Sequence, residues 1–133
     1  MKFLLDTDLF SVAAREGSTA LRQRLDMIPA HDIGLSVITA GEIEFGLAKN
    51  RPARWLAERI EVLRRSFATL AFGDDVPLRY GQLRAHLYGQ GTPIGPNDCW
   101  IAAHALSEDL TLLTGNDREF RRVPGLRVEN WLR

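Results

Sequence analysis

A chain of 133 residues with 45% hydrophobic and 26% charged residues has the composition of an ordinary soluble protein and is too short for two domains, so we expect one domain over residues 1–133. The 17 basic and 17 acidic residues cancel, so the net charge gives no support for a nucleic-acid partner. Cys99 is the only cysteine and the apolar amino terminus stops at Leu5, which excludes an internal disulfide and favours a cytoplasmic protein without a signal peptide or membrane span.

Short apolar segments that alternate with amphipathic stretches predict the secondary structure. The predicted strands are residues 2–5, 32–37, 69–72, 111–114 and 127–129. Apolar residues recur at spacings of three and four in the stretches 21–28, 56–67 and 76–87, which is the period of a helix with one buried face. A further helix is expected to follow Asn97 as its N-cap. Strands that alternate with helices favour an α/β/α sandwich with a central, mostly parallel sheet of about five strands.

Acidic residues follow three of the predicted strands. Asp6 ends the first strand, Glu42 comes shortly after the second, and a cluster at residues 116–119 comes after the fourth. Parallel strands end at one edge of their sheet, where such sheets bind ligands. Asp98 lies at the expected start of a helix, behind a loop rich in glycine and proline. Mg²⁺ prefers oxygen ligands, so the whole set predicts a metal-dependent active site.

Each acidic position also has an ordinary structural explanation when it is taken alone. Asp6 suits the N-cap of the next helix, and Glu42 with Thr39 fits a capping box. A negative charge at Asp98 interacts favourably with the helix dipole, by about 0.3–1 kcal/mol. Asp117 lies in a segment with typical turn chemistry. The prediction of a site therefore depends on the set in its order along the chain.

Six segments of the chain resemble the PIN-domain toxins of bacterial VapBC toxin–antitoxin systems. They are LLDT at residues 4–7, SVITAGE at 36–42, PIGPND at 93–98, WIAAHA at 100–105, REF at 118–120 and VPGL at 123–126. The resemblance extends from the first strand to Trp131, and residues 93–105 are its most specific part. It implies a PIN-domain fold and a toxin that acts as a Mg²⁺- or Mn²⁺-dependent endoribonuclease, hydrolysing RNA phosphodiester bonds.

The resemblance also implies roles for individual residues. It gives the catalytic residues as Asp6, Glu42, Asp98 and Glu119, and the metal ligands as Asp6, Asp98, Glu42, Asn116 and Asp117. Asn116 departs from the plainest family pattern, which has aspartate there; a neutral amide coordinates more weakly and cannot act as a base. Glu119 is favoured over Asp117 to supply the missing charge. Thr7 and Thr114 are expected as hydroxyl partners of the carboxylates or of a metal-bound water.

The partners implied by the resemblance are a cognate VapB-type antitoxin and an RNA substrate, which is a tRNA, an rRNA or an mRNA. A homodimer and a toxin–antitoxin hetero-oligomer are expected, and no membrane is. The candidate RNA contacts are Arg118, Arg121 and Arg122, which lie nearest to the expected metal. Arginines 51, 54, 59, 64 and 65 more often form a solvated helix face.

Two other functions compete with this one. Because Asn116 is neutral, the chain could be a catalytically weakened PIN domain that mainly binds its antitoxin or RNA. The start Asp6–Thr7–Asp8 also resembles haloacid-dehalogenase-type phosphatases, but the chain has only two lysines and neither follows a suitable late strand.

The three histidines show no metal-ligand spacing and are assigned to packing or the surface. Cys99 is expected to be a small buried residue, and Trp55 and Trp131 are expected to be core or interface anchors.

Overall fold

The computed structural model describes all 133 residues, and a five-stranded sheet runs through its centre. The strands are β1 (Phe3–Leu5), β2 (Ile33–Ser36), β3 (Ala68–Leu70), β4 (Thr111–Leu113) and β5 (Val128–Glu129). All pairings are parallel, in the order β3-β2-β1-β4-β5. The chain winds outward from β1 on one side and from β4 on the other, so β1 and β4 flank the topological switch point. The five predicted strands are confirmed, with the third one shifted slightly.

Helices cover both faces of the sheet. They are α1 (Thr7–Ala14), α2 (Thr19–Asp26), α3 (Val37–Lys49), α4 (Arg54–Ser66), α5 (Val76–Gly89), α6 (Pro96–Ser107) and α7 (Asp117–Phe120), with a short 3-10 helix at Ala30–Asp32. One core lies between the sheet and α1, α2 and α4, and the other lies between the sheet and α5, α6 and α7. The predicted α/β/α sandwich is confirmed. No helix is both long and apolar enough to cross a membrane.

The central strands are buried on both faces, which explains their uninterrupted apolar sequences. Leu4 and Leu5 are both fully buried, yet they belong to opposite cores because neighbouring side chains of a strand point to opposite faces. Burying a leucine side chain contributes about 1.5–3 kcal/mol. The strand ends are thus held rigidly, and so are the residues that follow them.

Two predicted helix starts are wrong, and the correction affects the acidic residues. α3 begins after Ser36, whose hydroxyl accepts a hydrogen bond from the Ile38 amide at 3.1 Å. The predicted capping box of Thr39 and Glu42 is therefore absent, and Glu42 lies in the second turn.

α6 begins after Gly95, because Pro96 suits the first helical position, where its missing N–H leaves no hydrogen bond unmade. The predicted N-cap Asn97 lies inside the first turn.

Candidate functional site

The acidic residues gather at the carboxyl edge of the sheet, around the switch point. Asp6 directly follows β1, and Glu42 lies in α3, which begins where β2 ends. Asn116 and Glu119 come just after β4. Asp98 lies in the first turn of α6, and because α6 leads back to the opposite end of β4, that first turn lies at the same edge. Residues from four separate segments thus meet at one edge.

Asp6 is the most rigidly held of these residues. Its side chain is almost completely buried. Its Oδ1 accepts a hydrogen bond from the Leu9 amide at 2.8 Å, which makes Asp6 the N-cap of α1, and its Oδ2 accepts one from the Thr114 hydroxyl. The two explanations offered for Asp6, an N-cap of the next helix and a member of the acidic cluster, therefore apply together. The Thr114 contact bridges β1 and β4 directly across the switch point.

Glu42 is oriented by the hydroxyl of Thr7, which itself lies against the hydroxyl of Thr39. The Thr7 hydroxyl donates to Glu42 Oε1 at 2.6 Å, and Thr7 Oγ1 lies 3.2 Å from the hydroxyl oxygen of the buried Thr39. Thr7 and Thr114, which were expected as hydroxyl partners, therefore each contact a carboxylate. The sequence analysis missed Thr39 at this edge, because it assigned that side chain to the helix cap.

Asn116 contacts Glu119 and fixes its position. The Asn116 Nδ2 donates to Glu119 Oε2 at 2.6 Å, and the Gly95 amide lies 3.4 Å from Glu119 Oε1. The Asn116 backbone amide donates to Thr114 Oγ1 at 2.9 Å. A carboxylate at position 116 could not donate such a hydrogen bond. The neutral residue that departs from the family pattern thus has a definite structural role, which is to hold Glu119 beside the loop that leads to Asp98.

Asp117, offered by the sequence analysis as a metal ligand, is engaged elsewhere. Its Oδ1 accepts hydrogen bonds from Asn130 at 3.1 Å and from Arg133 at 2.9 Å, and its Oδ2 lies 3.3 Å from an Arg121 guanidinium nitrogen. The Asn130 hydrogen bond and the two arginines keep the pKa of Asp117 below its ordinary value. Two arginines thus neutralise Asp117. This sets it apart from the acidic edge, by which we mean the carboxylates of Asp6, Glu42, Asp98 and Glu119, none of which has a basic partner.

The acidic edge carries negative charge with no counter-charge. None of its carboxylates forms an ion pair, whereas eight other acidic residues of the chain do. Burial raises the pKa of Asp6 to about 7, and the charges of Asp8 and Asp98 add to the rise. Burial, followed by the charges of Glu119, Glu42 and Asp8, raises the pKa of Asp98 to about 6. These mutual effects show that carboxylates from all four segments interact electrostatically.

The donor set at this edge fits a hard divalent cation. Carboxylates that repel one another and lack a basic partner are stabilised by a bound cation. No three Asp, Glu, His or Cys side chains are close enough to hold one ion together, but Mg²⁺ usually retains several waters and is bound through only one or two carboxylates. Asp6 and Asp98, whose carboxylates interact electrostatically, are the candidate direct ligands, and Glu42 and Glu119 are candidate further acceptors.

Open space adjoins the acidic edge on the side of Glu42. A groove of about 570 Å³ is lined by Thr7, Val37, Gly41, Glu42 and Phe45 among others. A larger groove of about 790 Å³ lies elsewhere, against α3 and α4. Its walls carry long side chains paired with one another, so its volume reflects solvated surface and not a chemical site.

The three candidate RNA-contacting arginines differ in what they touch. Arg118 is exposed and forms no ion pair or side-chain hydrogen bond, which leaves its guanidinium free for a phosphate. Arg121 lies against Asp117, and Arg122 donates to the Pro93 carbonyl at 3.1 Å. Of the five arginines expected on a helix face, Arg51 lies outside the helices, between α3 and α4, and the other four form ion pairs with glutamates.

His104 is completely buried, and its role is packing combined with hydrogen bonding. Its Nε2 lies 3.2 Å from the Ala71 carbonyl and must donate to it, so Nδ1 accepts from the Ser36 hydroxyl at 2.8 Å. Burial lowers the pKa of His104, which favours this neutral form. The side chain thereby connects α6, which carries Asp98, to the cap of α3, which carries Glu42. No pattern in the sequence marks this connection.

The remaining residues singled out by the sequence have structural positions. Cys99 is buried, and burial raises the pKa of its thiol, in agreement with its expected role as a small apolar residue. Trp131 is buried and packs edge-on against Phe3 with ring centroids 5.0 Å apart. Trp55 is 57% exposed, which rules out the core alternative, and its role as an interface anchor stays a prediction.

Comparisons with known proteins agree with this fold. The PIN domain model matches residues 3–126. The tRNA(fMet)-specific endonuclease VapC of Salmonella typhimurium is 36% identical over 132 residues, covering 98% of each chain. Ribonuclease VapC2 of Rickettsia felis is 30% identical over 132 residues, again covering 98% of each. The crystal structure of VapBC2 from Rickettsia felis, bound to a DNA fragment from their promoter, superposes with a TM-score of 0.89 at 30% identity and covers 98% of this chain and 99% of that one.

Proposed function

The chain belongs to the PIN domain family and, within it, to the VapC ribonucleases, and from this premise we propose that it is a metal-dependent endoribonuclease toxin. The observation that carries the proposal is the uncompensated acidic edge, where burial and mutual repulsion raise the pKa of Asp6 to about 7 and that of Asp98 to about 6. Such a cluster lowers stability in the absence of a cation, and the resemblance to PIN-domain toxins implies a divalent one. Asp6 and Asp98 would hold Mg²⁺ or Mn²⁺, with Glu42 and Glu119 beside them.

The bound cation would activate water and stabilise the negative charge that develops on the phosphate and on the leaving oxygen. The protein's own residues keep the acidic groups in place for this. The Leu9 amide and the Thr114 hydroxyl fix both oxygens of Asp6. Thr7 fixes Glu42. Such preorganisation leaves little side-chain rearrangement to be made at the moment of reaction.

Asn116 supports activity in this scheme. Its amide donates to Glu119 at 2.6 Å, so the segment after β4 still supplies one carboxylate to the edge. The catalytically weakened alternative rested on the missing charge at position 116. Because Glu119 supplies that charge from one helical turn further on, the active nuclease is the better supported function.

We further propose a tRNA as the RNA substrate, because a relative that is 36% identical over almost the whole chain is named a tRNA(fMet)-specific endonuclease. A VapB-type antitoxin is the expected partner, since the similar solved structures are VapBC complexes. The same relationship supports a toxin–antitoxin hetero-oligomer, and a homodimer stays a prediction. The exposed guanidinium of Arg118 is the first candidate for a phosphate contact. A cytoplasmic activity is part of the proposal, because a tRNA substrate would be met there.

The test compares purified wild type with Asp98→Asn on total RNA and on isolated tRNA, with Mg²⁺, with Mn²⁺ and with EDTA. We expect metal-dependent cleavage by the wild type and a loss of at least about 100-fold in the variant, since even residues that only support a metal ligand typically contribute 10–100-fold. Sequencing the cut ends identifies the target.

The matched control is Asp26→Asn, the same substitution at an exposed carboxylate that ends α2. This variant should cleave like the wild type. Cleavage that survives EDTA, or equal cleavage by wild type and Asp98→Asn, would refute the metal-dependent mechanism. Cleavage of rRNA or mRNA with tRNA left intact would refute only the proposed substrate.

A further inference from the structure

Asp117 connects the last residues of the chain to the start of α7. Its carboxylate accepts hydrogen bonds from Asn130 at 3.1 Å and from Arg133 at 2.9 Å. The Asp117 side chain is largely buried although both arginines around it are exposed. A largely buried charge with this many donors is strongly bound to its surroundings. We call this set of contacts, made by Asp117 with Arg121, Asn130 and Arg133, the C-terminal clasp.

The segment that the clasp holds is also anchored by packing. Trp131 is buried against Phe3 of β1, and Asn130 Oδ1 accepts from the Leu132 amide at 2.9 Å. The Leu132 side chain lies close against Gly115, where a Cβ atom would come within 3.0 Å of Leu132 Cδ1. The end of the chain therefore lies directly against the turn that leads from β4 to α7.

The same turn leads into the residues that belong to the acidic edge. Asn116 immediately precedes Asp117, and its side chain holds Glu119 at 2.6 Å. α7 has only four residues, Asp117–Phe120, and a helix this short has no stability of its own. Its position must come from contacts with the rest of the molecule. The clasp supplies such contacts at the first residue of α7, between Asn116 and Glu119.

We propose that Asp117 is a positioning residue for the acidic edge: by tying residues 130–133 to α7, it sets the places of Asn116 and Glu119 without contacting the cation. This inference rests on the proposed function for its meaning, because the edge that it positions is the proposed metal site. It assigns different tasks to neighbouring acids, with Glu119 facing the site and Asp117 facing the C-terminal residues.

The experiment uses Asp117→Asn and Arg133→Ala, because the second variant changes only an exposed side chain on the far side of the clasp. The matched control is Arg127→Ala, which breaks the exposed ion pair with Asp109 at 2.9 Å. That pair joins the residues that precede β4 and β5, at the opposite ends of these strands from the clasp. Two quantities are measured: the side-chain amide resonances of Asn116 in the metal-free protein, and the dissociation constant for Mn²⁺.

We expect both clasp variants to shift the Asn116 amide toward free asparagine and to weaken Mn²⁺ binding about 10–100-fold, as loss of a supporting contact does. Arg127→Ala should change neither quantity. If Asp117 were a metal ligand, Arg133→Ala would remove a competing cation and leave Mn²⁺ binding unchanged or tighter, which would overturn the proposal. An unshifted Asn116 amide in folded Arg133→Ala would overturn it too. A wild type that binds Mn²⁺ but cuts no RNA would refute the proposed function and leave this test intact.

Discussion

The ionised Asp6 carboxylate should destabilise the metal-free protein, and Asp6→Asn should relieve the effect. Burial raises the pKa of Asp6 to about 7 from an ordinary value of 3.8, so this group is harder to ionise in the folded chain than in the unfolded chain. As the pH rises from 3.8 to about 7, Asp6 loses its proton in the unfolded chain before it does so in the folded chain, and the folded state loses stability. Above about pH 7 both states are ionised and the loss stays constant.

The magnitude follows from the pKa itself. Each tenfold change in acidity corresponds to about 1.4 kcal/mol, so a rise from 3.8 to about 7 corresponds to about 4 kcal/mol. This is an upper value, because water that reaches the ionised carboxylate lowers the cost of burial. Asparagine has the same shape, and its amide can accept from the Leu9 amide and donate to the Thr114 oxygen. The substitution therefore removes the charge and keeps the contacts.

The assay is urea unfolding of wild type and Asp6→Asn in EDTA, at several values between about pH 4 and about pH 8. The two free energies of unfolding should be similar at the acid end, and the variant should be more stable by up to about 4 kcal/mol at the alkaline end. Mg²⁺ should then stabilise the wild type selectively. A difference that does not change with pH, or a less stable variant at about pH 8, would show that the hydrogen bonds to Asp6 outweigh its burial.

Two further substitutions test how the edge is supported. Thr7→Val removes the hydroxyl that donates to Glu42, so we expect RNA cleavage to fall about 10–100-fold with little change in urea stability; an unchanged rate would contradict a supporting role for Thr7. His104→Ala leaves the Ser36 hydroxyl and the Ala71 carbonyl without their partner and opens a cavity. We expect it to lower the free energy of unfolding by about 2–4 kcal/mol, and a loss below about 1 kcal/mol would count against the hydrogen-bonding role.

The positions of the strands in the chain were predictable from the sequence for a simple physical reason. A strand buried on both faces must be apolar throughout, and a polar residue then marks its end. Asp6 after Leu5 is the clearest example, since both leucines before it are fully buried. The same argument predicted which edge of the sheet would carry the carboxylates.

The allocation of neighbouring acids was harder to predict. Glu119 and Asp117 are two positions apart, and both suit a turn after β4. Which one faces the acidic edge depends on Asn130 and Arg133, whose places are known only once the chain is folded. The hydrogen-bonding role of His104 could not be predicted for a similar reason, because its partners Ser36 and Ala71 are 68 and 33 positions away in the sequence.

The hydrogen bond from Thr114 to Asp6 joins residues 108 positions apart, and this has a consequence for synthesis. A growing chain folds as it leaves the ribosome, amino terminus first. Until β4 has emerged, Asp6 has no partner across the switch point and Glu119 has not yet appeared. We therefore expect a partly made chain to lack an assembled acidic edge, so that the proposed cleavage of RNA can begin only after the segment that carries Thr114 and Glu119 has been released.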